Sequence, residues 1–141
     1  VGPNAPQSAA TTKYVFPVFG TSASFSSDYG APRAGTGWHQ GNDIFAPIGV
    51  PVVAVADGVL SKVGVNTLGG NRLWLTDDLG NAYYYAHLSG YSGAGGSVGA
   101  GTVIGYVGST GNAGSTNHLH FEWHPGGGAA VDPYLMLLAV C

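Results

Sequence analysis

Cysteine is nearly absent from this sequence: the single one, Cys141, is the last residue. No disulfide can form within the chain, and a zinc knuckle built on paired cysteines is excluded. Charge is scarce too. Charged residues make up 8% of the chain, four Lys and Arg stand against seven Asp and Glu, and the formal net charge is −3. No run of basic residues exists to follow a phosphate backbone, so nucleic-acid binding is not expected. The apolar tail at 134–141 is far too short to span a bilayer, so membrane insertion is not expected either. No long stretch with helical periodicity and no internal repeat is present.

What is abundant is glycine, 25 residues of 141, within a chain that is 45% hydrophobic. That length suits one domain with a real core. Short alternating runs of valine and tyrosine between tight turns predict an all-β, antiparallel domain. Residues 1–12 have no period and read as a flexible tail or linker; a Val at position 1 suggests a mature or excised domain over 13–141. A first, edge-type strand is expected over 13–19, followed by a long loop over 21–38. Residues 51–56 and 59–65 flank Asp57-Gly58, a two-residue hairpin signal. Further strands are expected at 73–76, 82–88, 102–107 and 118–123, with Gly-rich loops at 89–101 and 108–117. In 82–88, strict alternation groups Tyr83, Tyr85 and His87 on one face. Asp132-Pro133 marks the start of a short C-terminal helix over 134–138.

The chemistry concentrates on His118-Leu119-His120-Phe121-Glu122-Trp123. Side chains alternate across a strand, so Leu119, Phe121 and Trp123 suit a core while His118, His120 and Glu122 share the other face. Two imidazoles spaced roughly 7 Å from Cα to Cα can share one metal ion, or one can ligate while the other moves protons. His39 and Asp43 lie four residues apart around Gly41, which lets the chain bring both side chains together. His87 ends the tyrosine-rich strand. Two His and one Asp supply three ligands and leave a tetrahedral position open, the catalytic pattern for zinc. Spacing alone does not decide between His118 and His120 as the ligand.

These segments resemble the lysostaphin-type zinc metallopeptidases (the M23 family, with its LytM-like endopeptidases). The resemblance rests on His39-x-Gly41-x-Asp43, Ala46-Pro47, Ala56-Asp57-Gly58, Tyr85-Ala86-His87-Leu88, Ile104-Gly105-Tyr106-Val107-Gly108-Ser109-Thr110-Gly111-Asn112 and His118-Leu119-His120-Phe121-Glu122. It implies that His39, Asp43 and His120 hold Zn2+ and that His87 and His118 are the catalytic pair beside it. It further implies an antiparallel sheet under a groove walled by the loops at 21–38 and 109–117. The activity implied is hydrolysis of peptide bonds in the stem or cross-bridge of bacterial peptidoglycan. The protein would be secreted or wall-associated, with flanking domains or a propeptide outside this chain. Asn117 stands where the family commonly has proline, and Tyr29 is the nearest candidate for a tyrosine close to the metal. Glu122 is expected to support a ligand, and His124 to lie at the surface. Two rival readings are a non-catalytic wall-binding or hydrolase-activating module, which usually lacks the ligands, and a lipoyl-type carrier, which needs a hairpin-tip lysine absent at Asp57-Gly58.

Overall fold

A computed structural model describes residues 14–33 and 37–141 of the chain. The tail expected at 1–12 lies outside the described residues. The strands, in chain order, are β1 (Ser24–Phe25), β2 (Pro32–Arg33), β3 (Gly37–Trp38), β4 (Asn42–Phe45), β5 (Pro51–Val53), β6 (Gly58–Asn66) and β7 (Gly70–Asp77). They continue with β8 (Ala82–Leu88), β9 (Gly90–Tyr91), β10 (Ser97–Val98), β11 (Val103–Tyr106) and β12 (His118–His124). The helix α1 (Tyr134–Val140) closes the chain. The domain is therefore antiparallel β with one short C-terminal helix, as expected. Among the described residues no helix is long and apolar enough to cross a membrane.

Seven strands form the main sheet in the order β10-β6-β7-β8-β12-β4-β1, and β9-β11-β5 form a smaller one. One face of the main sheet carries Ile44, Leu60, Leu73, Leu75, Leu119 and Phe121, all buried. The smaller sheet covers that face with Val52 and Ile104, and Leu137 of α1 joins the same core. Alternation along each strand explains this division, because every second side chain meets the opposing layer. Tyr85 ties the layers together: its hydroxyl accepts from the Val55 amide at 2.9 Å and donates to the Val53 carbonyl at 3.2 Å.

Two sequence expectations need correcting. Pro51–Val53 and Gly58–Asn66 do not pair as a hairpin. β5 pairs with β11 in the small sheet, whereas β6 pairs with β7 and β10 in the large one. The intervening Ala54, Val55 and Ala56 are buried and carry the chain from one layer to the other. Asp57 does not turn a hairpin; its carboxylate accepts from the Ala100 amide. The edge strand expected over 13–19 reduces to an isolated bridge between Val18 and Val52. The segment still runs beside β5, with the Val53 amide donating to the Pro17 carbonyl. Pro17 has no N–H of its own, so the ladder cannot continue through it. The helix expected at 134–138 extends to Val140, and the Tyr134 amide donates to the Asp132 side chain.

Candidate metal centre

The solvent side of the main sheet holds the histidines. On β12, His118, His120, Glu122 and His124 project the same way, and the strand's pairing with its neighbours sets what each one meets. His120 stands directly opposite Asp43 of β4 on one side and Ala86 of β8 on the other, while His118 stands opposite Phe45. That register sets Asp43 directly across from His120, so that its carboxylate faces the inner nitrogen of His120 while His118 reaches it from two residues away. His39 enters from the turn before β4. Gly41, between His39 and Asp43, allows a close approach rather than an unusual φ: a Cβ there would lie 2.2 Å from the Phe121 carbonyl oxygen.

His39, Asp43 and His120 each offer one donor atom within 4.8 Å of the others. His39 Nε2 lies 3.0 Å from His120 Nδ1 and 3.0 Å from Asp43 Oδ1, and His120 Nδ1 lies 3.3 Å from the same oxygen. The outer nitrogens are tied to oxygens. His39 Nδ1–H donates to the Asp28 carbonyl at 3.1 Å, and His120 Nε2–H donates to Glu122 Oε2 at 2.7 Å. A carbonyl can only accept, so the ring proton of neutral His39 faces outward and its lone pair inward. Three donor atoms thus converge on one point, an arrangement that a divalent cation or a proton completes.

The titration of the cluster follows from that geometry. Burial disfavours the charged carboxylate of Asp43, but the facing imidazoles of His120 and His39 outweigh it and hold its pKa well below the carboxylate range. Burial likewise disfavours protonated His120, yet Asp43 and Glu122 outweigh it and raise its pKa to about 9. Glu122 is shared between two imidazoles, with Oε1 2.7 Å from His124 Nε2. Burial works to raise its pKa, and the contacts with His120 and His124 lower it below the usual value.

His87 reaches the cluster by a route that alternation misses. Asn71 pairs with Leu88 but Leu73 with Tyr85, so β8 holds one extra residue there. His87 sits in this bulge with φ +66°. The bulge breaks the two-residue period, leaving Leu88 in the core and turning His87 to the solvent face. The expected grouping of His87 with Tyr83 and Tyr85 is therefore corrected. Its ring centroid lies 4.9 Å from that of His118 and 5.9 Å from that of His120. His87 Nδ1–H donates to the Thr110 carbonyl at 2.7 Å, and His118 Nδ1–H to the Thr116 carbonyl at 3.0 Å. The His87 Nε2 lone pair is thereby left free, whereas His118 Nε2 lies 3.5 Å from Asp43 Oδ1, within ion-pair reach. Burial, reinforced by the neighbouring His118, lowers the His87 pKa to about 4.

The site brings together all five residues singled out from the sequence. It adds others that sequence reasoning missed. Asp28 holds His39, and Asn42 donates to Asp28 Oδ1 at 2.9 Å and to the Ser26 carbonyl at 2.6 Å, fastening that loop to β4. His124 is not a bystander at the surface: besides Glu122 it contacts the Gly128 carbonyl and packs edge-on against Trp74. The Tyr29 hydroxyl donates to the Ala130 carbonyl. A groove of about 800 Å³ runs over the cluster between Phe45 and Trp74, with the loop residues Asn112 and Thr116 on its wall.

Comparison with known proteins points to one family. The family model for Peptidase family M23 matches residues 37–133. An L-Ala--D-Glu endopeptidase from Bacillus subtilis is 36% identical over 83 residues, covering 57% of this chain and 26% of that protein. The DD-carboxypeptidase/endopeptidase Mpg from Neisseria meningitidis is 46% identical over 84 residues, covering 60% of this chain and 19% of that protein. The chain thus spans only about a quarter or less of the length of these relatives. Among solved structures, the catalytic domain of lysostaphin from Staphylococcus simulans superimposes with a TM-score of 0.71 at 35% identity, covering 82% of this chain and 92% of that one. A zinc-containing peptidase from Vibrio cholerae gives a TM-score of 0.69 at 28% identity, covering 79% of this chain and 36% of that one. On the extent of the family match and the shared fold, the chain belongs to peptidase family M23.

Proposed function

We propose that this chain is a zinc-dependent endopeptidase that hydrolyses peptide bonds in the stem or cross-bridge of bacterial peptidoglycan, with residues 13–141 as its catalytic domain. The observation that carries the reading is the orientation of the four imidazoles. His39 and His120 turn their inner nitrogens toward Asp43, while His87 and His118 present Nε2 atoms beside them. His39 Nε2, His120 Nδ1 and the Asp43 carboxylate would hold the ion, leaving a fourth position open to the groove. Zinc bound there would acidify a water and polarise the peptide carbonyl.

The remaining roles fall to the chain's own side chains. His87, kept neutral by burial at physiological pH, can take a proton at Nε2 and return it to the leaving amine. His118 offers the same atom from the adjacent strand, and whichever ring is protonated turns an N–H toward the developing oxyanion. Glu122 and Asp28 orient the ligand rings from behind. Such a substrate would place the working protein outside the cytoplasmic membrane. The full donor set speaks against a non-catalytic binding module.

The test joins metal analysis to digestion. The purified chain is expected to carry about one zinc, removable by chelation. With zinc restored, it should release fragments with new amino termini from purified sacculi, identified by mass. Folded, zinc-supplied protein that holds no metal, or that binds sacculi of several chemotypes without releasing fragments, would overturn the reading.

A further inference from the structure

Two of the four Lys and Arg residues in the sequence, Lys62 and Arg72, line the same groove as the histidine cluster. Their placement is built into the sheet. Lys62 lies at a bulge in β6, where Ser61 pairs with Trp74 and Gly64 with Arg72. Its φ is +51°, and among the described residues the only other non-glycine residue with positive φ is His87. Such conformations are costly and concentrate at functional positions; here both fall on one groove. Arg72 Nη1 donates to the Lys62 carbonyl, so the bulge anchors one corner of the guanidinium and leaves its other N–H groups free. Among the described residues, neither Lys62 nor Arg72 takes part in an ion pair.

The cross-sheet rows place these cations relative to the proposed reaction. Asp43, His120 and Ala86 are register partners, and Arg72 lies on the next strand between the pairs Asn71–Leu88 and Leu73–Tyr85, opposite the bulge that holds Ala86 and His87. Two strand spacings, about 10 Å, separate the backbones of Arg72 and His120, and the guanidinium reaches toward Lys62 one strand further, so a substrate spanning the two covers roughly three to four extended residues. Between them the groove is lined by Tyr84 and His87, which cover the buried Ala86. Trp74, packed against Tyr84 with ring centroids 4.8 Å apart, flanks the path. We infer that Arg72, with Lys62 beside it, is a specificity element that binds a substrate carboxylate three to four residues from the scissile bond. This rests on the endopeptidase reading of the site. It favours stem peptides bearing an acidic side chain or a free C-terminal carboxylate over uncharged glycine bridges.

The test uses the tetrapeptide L-Ala-D-Glu-L-Lys-D-Ala, its side-chain carboxamide, its C-terminal carboxamide and pentaglycine. Binding is measured calorimetrically on the full chain stripped of metal, so that no turnover intervenes, and cleavage is measured on the zinc-loaded chain. One of the two carboxamides is expected to bind about tenfold more weakly than the acid, the effect of losing a charge-assisted hydrogen bond, and which one identifies the carboxylate. Arg72→Gln should bring that acid-to-amide ratio close to one, Arg72→Lys should restore part of it, and Lys62→Gln should reduce it. Wild-type protein that binds acid and amides equally, or Arg72→Gln that keeps the ratio, would overturn the inference. Selective binding without cleavage of any peptide or sacculus would instead leave the inference standing and overturn the endopeptidase reading.

Discussion

Which nitrogen of each imidazole faces inward decides what its loss should do. Replacing His39, Asp43 or His120 by Ala should abolish both zinc binding and cleavage, because two remaining ligands hold the ion poorly. Replacing His87 or His118 by Ala should leave zinc in place and slow cleavage by roughly 10²-fold or more, the scale of a general acid–base group. Zinc stoichiometry measured beside cleavage rate for the five variants checks the division; zinc lost from His118→Ala but kept by His120→Ala would reverse it. At this scale the sequence named the residues that the structure brings together but not how they divide. His118 and His120 share a face and are equivalent by spacing. Their difference lies in cross-strand register, Asp43 against one and Phe45 against the other, and register is a property of two strands. Asp28 was illegible for a related reason: its link to His39 depends on how the loop before β4 folds back, which no local period encodes.

Elements meet at this site through close backbone approaches, and glycine allows them. Gly41 lies against the Phe121 carbonyl of β12, whereas Gly111, with φ +70°, lies against Gly70: a Cβ at Gly111 would be 2.4 Å from the Gly70 nitrogen. The first contact sets the distance from β4 to β12, hence Asp43 to His120. The second seats the loop whose Thr110 carbonyl receives His87 Nδ1–H. Gly41→Ala should therefore weaken zinc affinity by roughly tenfold or more, as when the supports of a ligand shift. Gly111→Ala should leave zinc affinity intact and lower kcat by roughly ten- to a hundredfold. Zinc titration and steady-state kinetics on both variants distinguish the two; an unchanged kcat in Gly111→Ala would show that the Thr110 loop does not position His87. Element type was largely readable from alternation and turn residues. Element partnership was not. The Asp57-Gly58 signal describes a local turn, but burial of Ala54, Val55 and Ala56 between the sheets outweighs it and sends the two strands to different layers. Likewise a bulge at His87 costs the strand its period, and only the pairing with β7 reveals it.

For the molecule as a whole, the cluster links stability, metal and pH. Without zinc, His120 in the folded chain has a pKa of about 9, above the ordinary histidine value of about 6.5 for an unfolded chain. Its protonated form therefore contributes stability that is complete below about pH 6.5 and is lost as pH rises through about 9. His87 acts in the opposite sense. Its folded pKa of about 4 means that the unfolded chain takes up the proton first, so stability falls as pH drops from about 6.5 toward 4. The chelated protein should consequently be most stable near pH 6.5, declining on both sides. Zinc displaces the proton from His120, so its affinity, and the stabilisation it confers, should grow as pH rises toward 9. Zinc at a hundred times its dissociation constant would add about 2.7 kcal/mol. Thermal melts with and without chelator across pH 5 to 9 measure the gap between the two forms directly. The gap should widen steadily above pH 6.5 in the wild type. In His120→Ala, which lacks both the proton site and the ligand, it should vanish at every pH; a gap that persists there would mean that the stabilising ion sits elsewhere.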